Sequence, residues 1–438
     1  MAHRVAIVGG GPAGLTLGRV LKALEIPFVI FERNDDFGGL WNRDDPRSPV
    51  YDSAHLISSR QMTGFEGYPM PGHWADYPSA AHVLRYIRDF ARDFGLYDHA
   101  RLGTAIARAA PREGGWRLTA DDGKAEDFRW LVAANGSNWT PALPRWPGEF
   151  RGRLRHAASF RSAAELAGRR VLVVGLGNSG ADIACDATHA AARVAVSLRR
   201  GYHVIPKHIL GRPADVFADR GPPLPPGLRQ RVFQLLLRLL IGDLRRHGMP
   251  RPDHRLLETH PLLSDLFIHH LRHGDIEILG DIKGFDGDSV LFADGRREVF
   301  DEVIAATGYE WEIPWIDPAL LPWERGRIAL PLSIFTGLPG LYLLSFVESN
   351  GSSFSLFNEM SWVIGNAIRD QRADAGAGER LRRVLAETAF DVTGGLRMLN
   401  SDRHVGYMDN RAYRKALALL CRRMGWPAGA RARLLGQR

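Results

Sequence analysis

The stretch that decides the fold is "RVAIVGGGPAGLTLGRVLKALEIPFVIFER", Arg4 to Arg33. An apolar β run leads into Gly9, Gly11 and Gly14, a helical pattern follows, and a second β run ends at the acid Glu32. Gly9 allows a tight turn, Gly11 lets backbone approach a pyrophosphate, and Gly14 permits close packing of helix on strand. With Pro12 and Ala13 between them, these residues place a helix N-terminus, with its free N–H groups and positive dipole end, where phosphates bind. Glu32 stands where a carboxylate accepts hydrogen bonds from a ribose diol. Strand, turn, helix, strand and acid occur in order, which makes this a dinucleotide-binding unit rather than an ordinary turn.

The same logic recurs in "RRVLVVGLGNSGADIACDATHAAARVAVSLRR", Arg169 to Arg200, with Gly175, Gly177 and Gly180. Asn178 and Ser179 open its helix and Asp182 lies one turn in. The second β run ends at Ser197 without an acid, and Arg199 and Arg200 stand in its place. A guanidinium fork suits a 2′-phosphate, so this half is expected to prefer NADP over NAD. Strand-like and helical runs alternate throughout, the pattern of an α/β protein with parallel sheets. The expected architecture is two Rossmann-like dinucleotide-binding domains, the NADP domain inserted in the FAD domain. Two dinucleotide sites in one chain imply an oxidoreductase in which a nicotinamide reduces a flavin, here FAD and NADPH.

Composition narrows the alternatives. At 438 residues and 45% hydrophobic the chain is an ordinary globular protein with material for two domains. The formal charge of +8 comes from scattered Arg rather than a clustered basic face, which argues against a nucleic-acid partner. Cys185 and Cys421 are far apart, with no zinc-ligand or redox spacing, so no metal site is expected and a reducing, cytoplasmic location is. The same absence of a paired cysteine near the first helix removes a disulfide reductase. "MAHRVAIVGGG" enters a strand with no secretory leader, and "VFQLLLRLLIG", Val232 to Gly242, is too short to span a bilayer. The helical spacing of its leucines reads as a core-facing helix.

Between the two glycine turns lies "FRGRLRHAASF", which fits FxGxxxHxxx(Y/F) with Phe150, Gly152, His156 and Phe160. Here the chain resembles the flavin-containing monooxygenases, class B flavoproteins that carry FAD in one domain and NADPH in another. Further segments carry the resemblance: "FERNDDFGGLW", in which Arg33, Gly39, Leu40 and Trp41 are the implied FAD contacts; "YPMP" at Tyr68 to Pro71; "DYPSAAHVLRYIRDFARDFGL"; "DEVIAATGYEW", whose Thr307 and Gly308 mark the return to the FAD domain; and "RHVGYMDNRAYRKALA" from Arg403, similar to a C-terminal helix pair.

The resemblance implies an NADPH-dependent flavin monooxygenase that forms a C4a-hydroperoxyflavin and oxygenates a soft nitrogen or sulfur nucleophile of a small molecule, with O2 as co-substrate. His156 is implied to fix the position of the NADPH domain rather than to transfer a proton. Related Baeyer–Villiger enzymes usually carry Trp where this chain has Phe160, which turns the reading toward heteroatom oxygenation. One position departs from the family: in "SAHLISSRQMTGF" Ile57 falls where the family has an Asn beside the flavin oxygen site. No catalytic residue is thereby assigned; Ser58, also an implied flavin contact, is the candidate hydroxyl. Baeyer–Villiger oxygenation of a carbonyl substrate, an NADPH oxidase or diaphorase releasing H2O2, and a non-catalytic flavin-binding protein are the alternatives.

The expected division is residues 1–165 for the first part of the FAD-binding domain, 166–300 for the NADP-binding domain, and 301–438 for the second FAD part with C-terminal helices. A Pro-punctuated segment, about 203–272, reads as an insertion of loops and one amphipathic helix, serving as a lid or as packing. The expected partners are a small-molecule substrate and O2, with neither nucleic acid nor a membrane span, and with a homodimer left open.

Overall fold

The computed structural model describes residues 3–221, 225–256, 258–260, 262–396 and 405–427. Along the chain the principal elements are β1 (Val5–Val8), α1 (Pro12–Ala23), β2 (Phe28–Phe31), α2 (Ala80–Asp93), β3 (Ala100–Arg101), β4 (Trp130–Ala133), β5 (Arg153–His156), β6 (Arg170–Val174), α3 (Asn178–Ala187), β7 (Arg193–Ser197), α4 (Ala214–Asp219), α5 (Pro226–Ile241), α6 (Asp265–His273), β8 (Glu277–Leu279), β9 (Glu302–Ala305), β10 (Leu341–Leu343), α7 (Ser353–Ala373), α8 (Ala377–Glu387) and α9 (Asn410–Met424). They fall into two compact units, one of Met1–Asp45, Ser58–Ser137 and Trp311–Arg438, the other of Pro46–Ile57 and Asn138–Glu310.

The first unit is built on a five-stranded sheet in the order β10-β4-β1-β2-β3, with every pairing parallel. β1, β2 and β4 are buried at every residue, as strands covered on both faces must be, which explains their unbroken apolar content. Phe31, Trp116, Phe128, Leu131, Trp311 and Leu343 form one face of its core. On the helical side α7 crosses α1 so closely that a Cβ on Gly365 would lie 2.6 Å from Val20 Cγ1.

The second unit carries its own five-stranded parallel sheet, β8-β7-β6-β9-β5. Two Rossmann-like domains are therefore present, the second nested in the sequence of the first. Residues 138–165, given to the first FAD part by the sequence reading, lie in this second unit because β5 pairs with β9 at its sheet edge. So does the short segment Pro46–Ile57.

Glu302 of β9 has no exposed surface and is met by Arg155 Nε at 2.6 Å and Arg169 NH1 at 2.8 Å, while Arg155 NH1 also reaches Glu165 at 2.6 Å. Three segments are locked by this group of charges, β9, β5 and the turn that begins β6.

The insertion differs from its expected form. Among its described residues it holds three α-helices, α4, α5 and α6, instead of one, with short strand pairs between. The leucines of α5 are not core-facing as expected: Leu237 and Gln230 are buried, but Leu228, Val232, Leu235 and Leu239 are exposed, Leu239 to 75%. At about 100° per residue those four share one stripe while Phe233 and Leu237 face the opposite way, so the apolar period alone named the wrong face. Of the stretch from Arg403, the described part enters α9 at Asn410, and α8 lies before it in the chain; Arg403 and His404 lie outside the described residues. No helix among the described residues is long and apolar enough to cross a membrane, and none of their His, Cys, Asp and Glu side chains cluster as a metal site. Cys185 and Cys421 are both buried, and no disulfide joins them.

Removing Glu302 takes from the buried Arg155 one of its two carboxylate partners, which costs about 3 kcal/mol. Glu302→Ala is expected to lower the free energy of unfolding, measured by urea titration, by that amount. Arg170→Ala, which breaks the half-exposed pair with Asp301, should leave the unfolding transition nearly where it is.

Candidate active site

The first glycine turn joins β1 to α1. Gly9 sits at φ 118°, and a Cβ there would lie 2.7 Å from the Ala134 carbonyl carbon. A Cβ on Gly14 would collide with the Gly9 carbonyl oxygen, so helix and strand meet only because both are glycine. α1 starts with Gly11 as N-cap and Pro12 in its first turn; no side chain caps it and its first turn holds no acid. Its end is thus a fit for an anion. Glu32 is 5% exposed, with Oε2 accepting from Gly10 N at 2.7 Å and Oε1 from Asn34 N at 2.9 Å. Burial holds its carboxyl above the ordinary range against the pull of these two bonds.

Gly39, Leu40 and Trp41 form a single helical turn laid against this loop: Gly38 N donates to Gly10 O at 3.2 Å, and a Cβ on Gly39 would be 3.0 Å from Gly11 Cα. Arg33, expected beside the cofactor, donates to the buried Asp45 at 3.0 Å. Gly9, Gly11, Pro12, Ala13, Gly14, Glu32 and Gly39 are brought to one place in the first unit.

In the second unit the turn between β6 and α3 repeats the arrangement. Gly175 sits at φ 93°, a Cβ on Gly180 would collide with the Gly175 oxygen, and Gly177 faces open space, with nothing within 4 Å of a Cβ placed there. α3 again has a glycine N-cap, Gly177, no side-chain cap and no acid in its first turn. Asn178 Oδ1 accepts from Leu263 N at 3.1 Å and so holds a strand of the insertion. β7 ends at Ser197, after which Arg199 is exposed and Arg200 half-buried. Among the described residues neither enters an ion pair, although the charge of Arg200 acts on Asp253, whose main partner is His254. Room beside Gly177, an anion-ready helix end and uncommitted guanidinium groups fit a phosphorylated dinucleotide.

The fingerprint residues share this unit. Phe150 packs its ring 5.1 Å from Phe285, and a Cβ on Gly152 would come within 2.6 Å of that Phe150 ring. His156 pairs with Ala305 across β5 and β9, caps the next turn by accepting from Ala158 N through Nδ1 at 3.1 Å, and lies edge-on to Tyr309 at 5.2 Å. Burial lowers its pKa, opposed by the Gly308 carbonyl. The Ala306–Gly308 turn also abuts the glycine turn, since a Cβ on Gly175 would stand 2.9 Å from Ala306 O. Thr307 Oγ1 donates to Ala142 O at 2.5 Å and Ala142 N to Gly308 O at 3.0 Å, tying together the two stretches at which the chain enters and leaves the unit. Phe160 is wholly buried, with Arg155 over its ring at 5.7 Å and Tyr51 at 5.9 Å.

Ile57 and Ser58 lie in a half-exposed bend. Ser58 Oγ is 2.5 Å from Thr63 Oγ1, and Thr63 is buried. Sequence reasoning missed Thr63, and it missed Tyr51 and Ser53, which donate to Asp182 at 2.7 Å and Asp186 at 2.5 Å. The i, i+4 spacing of the two aspartates was the available signal; the Tyr-x-Ser facing them was not readable as its partner.

Comparison with known proteins agrees with this geometry. Residues 2–366 match the family described as FMO-like, flavin-binding monooxygenase-like. The chain is 30% identical over 382 residues to the probable indole-3-pyruvate monooxygenase YUCCA9 of Arabidopsis thaliana, covering 83% of this chain and 89% of that protein. It is 31% identical over 382 residues to human flavin-containing monooxygenase 5, covering 80% and 70%. Its fold is similar to the open crystal structure of cyclohexanone monooxygenase (TM-score 0.69, 17% identity, 97% and 99% covered). It is also similar to that of a flavin-containing monooxygenase from Stenotrophomonas maltophilia (TM-score 0.66, 21% identity, 84% and 98% covered). With a glycine turn for each cofactor, and a match that takes in both turns and the fingerprint between them, the chain belongs to the flavin-binding monooxygenase-like family, as an oxidoreductase that uses FAD and NADPH for flavin-dependent oxygenation.

Proposed function

We propose that this enzyme inserts one oxygen atom of O2 into a soft nitrogen or sulfur nucleophile of a small molecule and reduces the other to water, consuming one NADPH and one proton. Bound FAD, reduced by NADPH, supplies the electrons and the site at which O2 is activated. The reading rests on one observation, the complete fingerprint Phe150, Gly152, His156 and Phe160 set between two glycine turns. A Phe at its last position, where carbonyl-oxygenating relatives usually have Trp, supports a heteroatom substrate over a ketone.

The chain's own residues do the binding and holding. Glu32 would take the flavin nucleotide's ribose, and the α1 N-terminus with Gly9, Gly11, Pro12, Ala13 and Gly14 its pyrophosphate. Gly39, Leu40 and Trp41 would flank it. Gly175, Gly177, Asn178, Ser179 and Gly180 would cradle the nicotinamide nucleotide, and Arg199 with Arg200 its 2′-phosphate. Thr307 and Gly308 close the turn beside it. Exclusion of water is the remaining task, since solvent access turns the same electrons and O2 into H2O2.

Ile57 favours a second reading, an NADPH oxidase releasing H2O2. An apolar side chain offers no hydrogen bond where the family has an Asn, and a polar oxygen species next to it loses solvation without compensation. Ser58, held by Thr63 at 2.5 Å, is the nearest candidate hydroxyl in sequence.

Three outcomes follow. Arg199→Ala with Arg200→Ala should raise the KM for NADPH by roughly tenfold or more, from about 1.5–3 kcal/mol per charge-assisted contact, and leave the KM for NADH unchanged. NADPH consumption should be coupled to product with amines or sulfides and not with ketones; coupling to ketones alone would replace heteroatom oxygenation by the Baeyer–Villiger reading. Ile57→Asn should lower the H2O2 released per NADPH. An unchanged yield would show that position 57 does not touch the oxygen chemistry.

A further inference from the structure

The segment Pro46–Ile57 belongs to the second unit, although the residues before it, through Asp45, and after it, from Ser58, belong to the first. Two side chains two residues apart hold it on α3. Tyr51 Oη donates to Asp182 Oδ2 at 2.7 Å and also hydrogen-bonds Ser179, and Ser53 Oγ donates to Asp186 Oδ2 at 2.5 Å. Asp182 and Asp186 are one helical turn apart, so the paired contacts fix the segment in both position and rotation. Its backbone is held from the fingerprint side: Asp52 N donates to Arg161 O at 2.9 Å, and Arg161 NH2 to Pro46 O at 3.0 Å. The Tyr51 ring completes the grip against Phe160.

We propose that Tyr51 is a positioning residue for the nicotinamide nucleotide: through Asp182 and Ser179 it fixes the first turn of α3, and the strap it anchors couples nucleotide binding to the backbone that runs on to Ser58. This rests on the second glycine turn being the NADPH site. Ser179 is the second residue of α3, in the turn whose N–H groups face the phosphates, and a small displacement of such donors weakens the contacts they make. Asp182 is half-buried; desolvation raises its pKa, and the Tyr51 hydroxyl is the largest influence that opposes this, so the bond stabilises the carboxylate where it lies. The strap then ends at Ile57, the residue before the candidate hydroxyl. Loss of the Tyr51 bond therefore acts at both ends, on nucleotide affinity and on retention of the oxygen chemistry.

The test is Tyr51→Phe in the full-length, FAD-loaded enzyme. The Kd for NADP⁺, measured by titration calorimetry, and the KM for NADPH should each rise about tenfold, the scale of one hydrogen bond to a charged group. The rate of flavin reduction at saturating NADPH should be unchanged, and H2O2 per NADPH should rise. FAD content and thermal midpoint should match the wild type; a loss of affinity that merely follows a loss of either would overturn the proposal in favour of a packing role, as would unchanged affinity and peroxide yield. If Tyr51→Phe does not load FAD, Asp182→Asn serves in its place, since it weakens the same bond from the other side and should raise the Kd in the same direction. Where both fold, the double variant should bind NADP⁺ no more weakly than the weaker single variant; additive losses would show two separate effects. Arg199→Ala with Arg200→Ala separates the premise: if it leaves the Kd for NADP⁺ unchanged, the nucleotide is not held beside α3 and both readings fail, whereas weakened binding there with normal binding in Tyr51→Phe overturns the strap alone.

Discussion

A carboxylate with no contact with water needs its charge matched, and Glu302 accepts hydrogen bonds from two arginines of different segments. Its desolvation is offset only while Arg155 and Arg169 stay within hydrogen-bond reach, so β5 is held at the edge of the second sheet as much by charge as by its ladder. His156 follows Arg155 directly in the chain, and Phe160, one short turn on, lies under the Arg155 guanidinium, so the places of both are set by that attachment. From there the order propagates: Phe160 backs Tyr51, Arg161 binds the strap's backbone, and the strap reaches α3. The Arg-rich character of the fingerprint in this chain thus has an internal use. Arg155 is not a surface residue of an Arg-preferring sequence but the counter-charge of a buried acid.

The fingerprint histidine and the Ala-Thr-Gly turn are read separately in the sequence, and the fold makes them neighbours. His156 stands opposite Ala305, and the next residue, Ala306, closes on the Gly175 turn. Thr307 and Gly308 bind Ala142, so the strand entering the unit is fastened to the strand leaving it. His156 accepts a backbone hydrogen bond and is depressed in pKa by burial, an environment for a neutral, fixed ring and not for a proton carrier.

What could be read from the sequence was what local sterics dictate. Gly9 and Gly175 occupy backbone conformations that other residues avoid, Gly14 and Gly180 leave no room for a Cβ, and both demands act within a few residues, so the two turns and their helices were legible. Glu32 was legible for the same reason, as the end of the strand that follows. Contacts between distant residues were not: Glu302 and Arg155 are joined across the sheet, and Tyr51 and Asp182 across the fold, with nothing nearby in sequence to announce either pair. In α5 the leucine period correctly gave a helix, yet a helix apolar on two sides carries no mark of which side is covered. The insertion's extra helices were hidden behind prolines that punctuate loops and helix starts alike, Pro226 being the first residue of α5.

The nesting of one unit inside the other also sets an order in time. β10 completes the first sheet by pairing with β4, Leu341 beside Leu131, and the whole of Asn138–Glu310 lies between them. On a ribosome, β4 therefore emerges and waits with an open hydrogen-bonding edge while the second unit is made, a template for pairing with other chains. The strap Pro46–Ile57 waits as well, because α3, Phe160 and Arg161, on which it docks, all come later. Residues made early are thus settled by residues made late, and the nascent chain is most open to mispairing midway through its own synthesis.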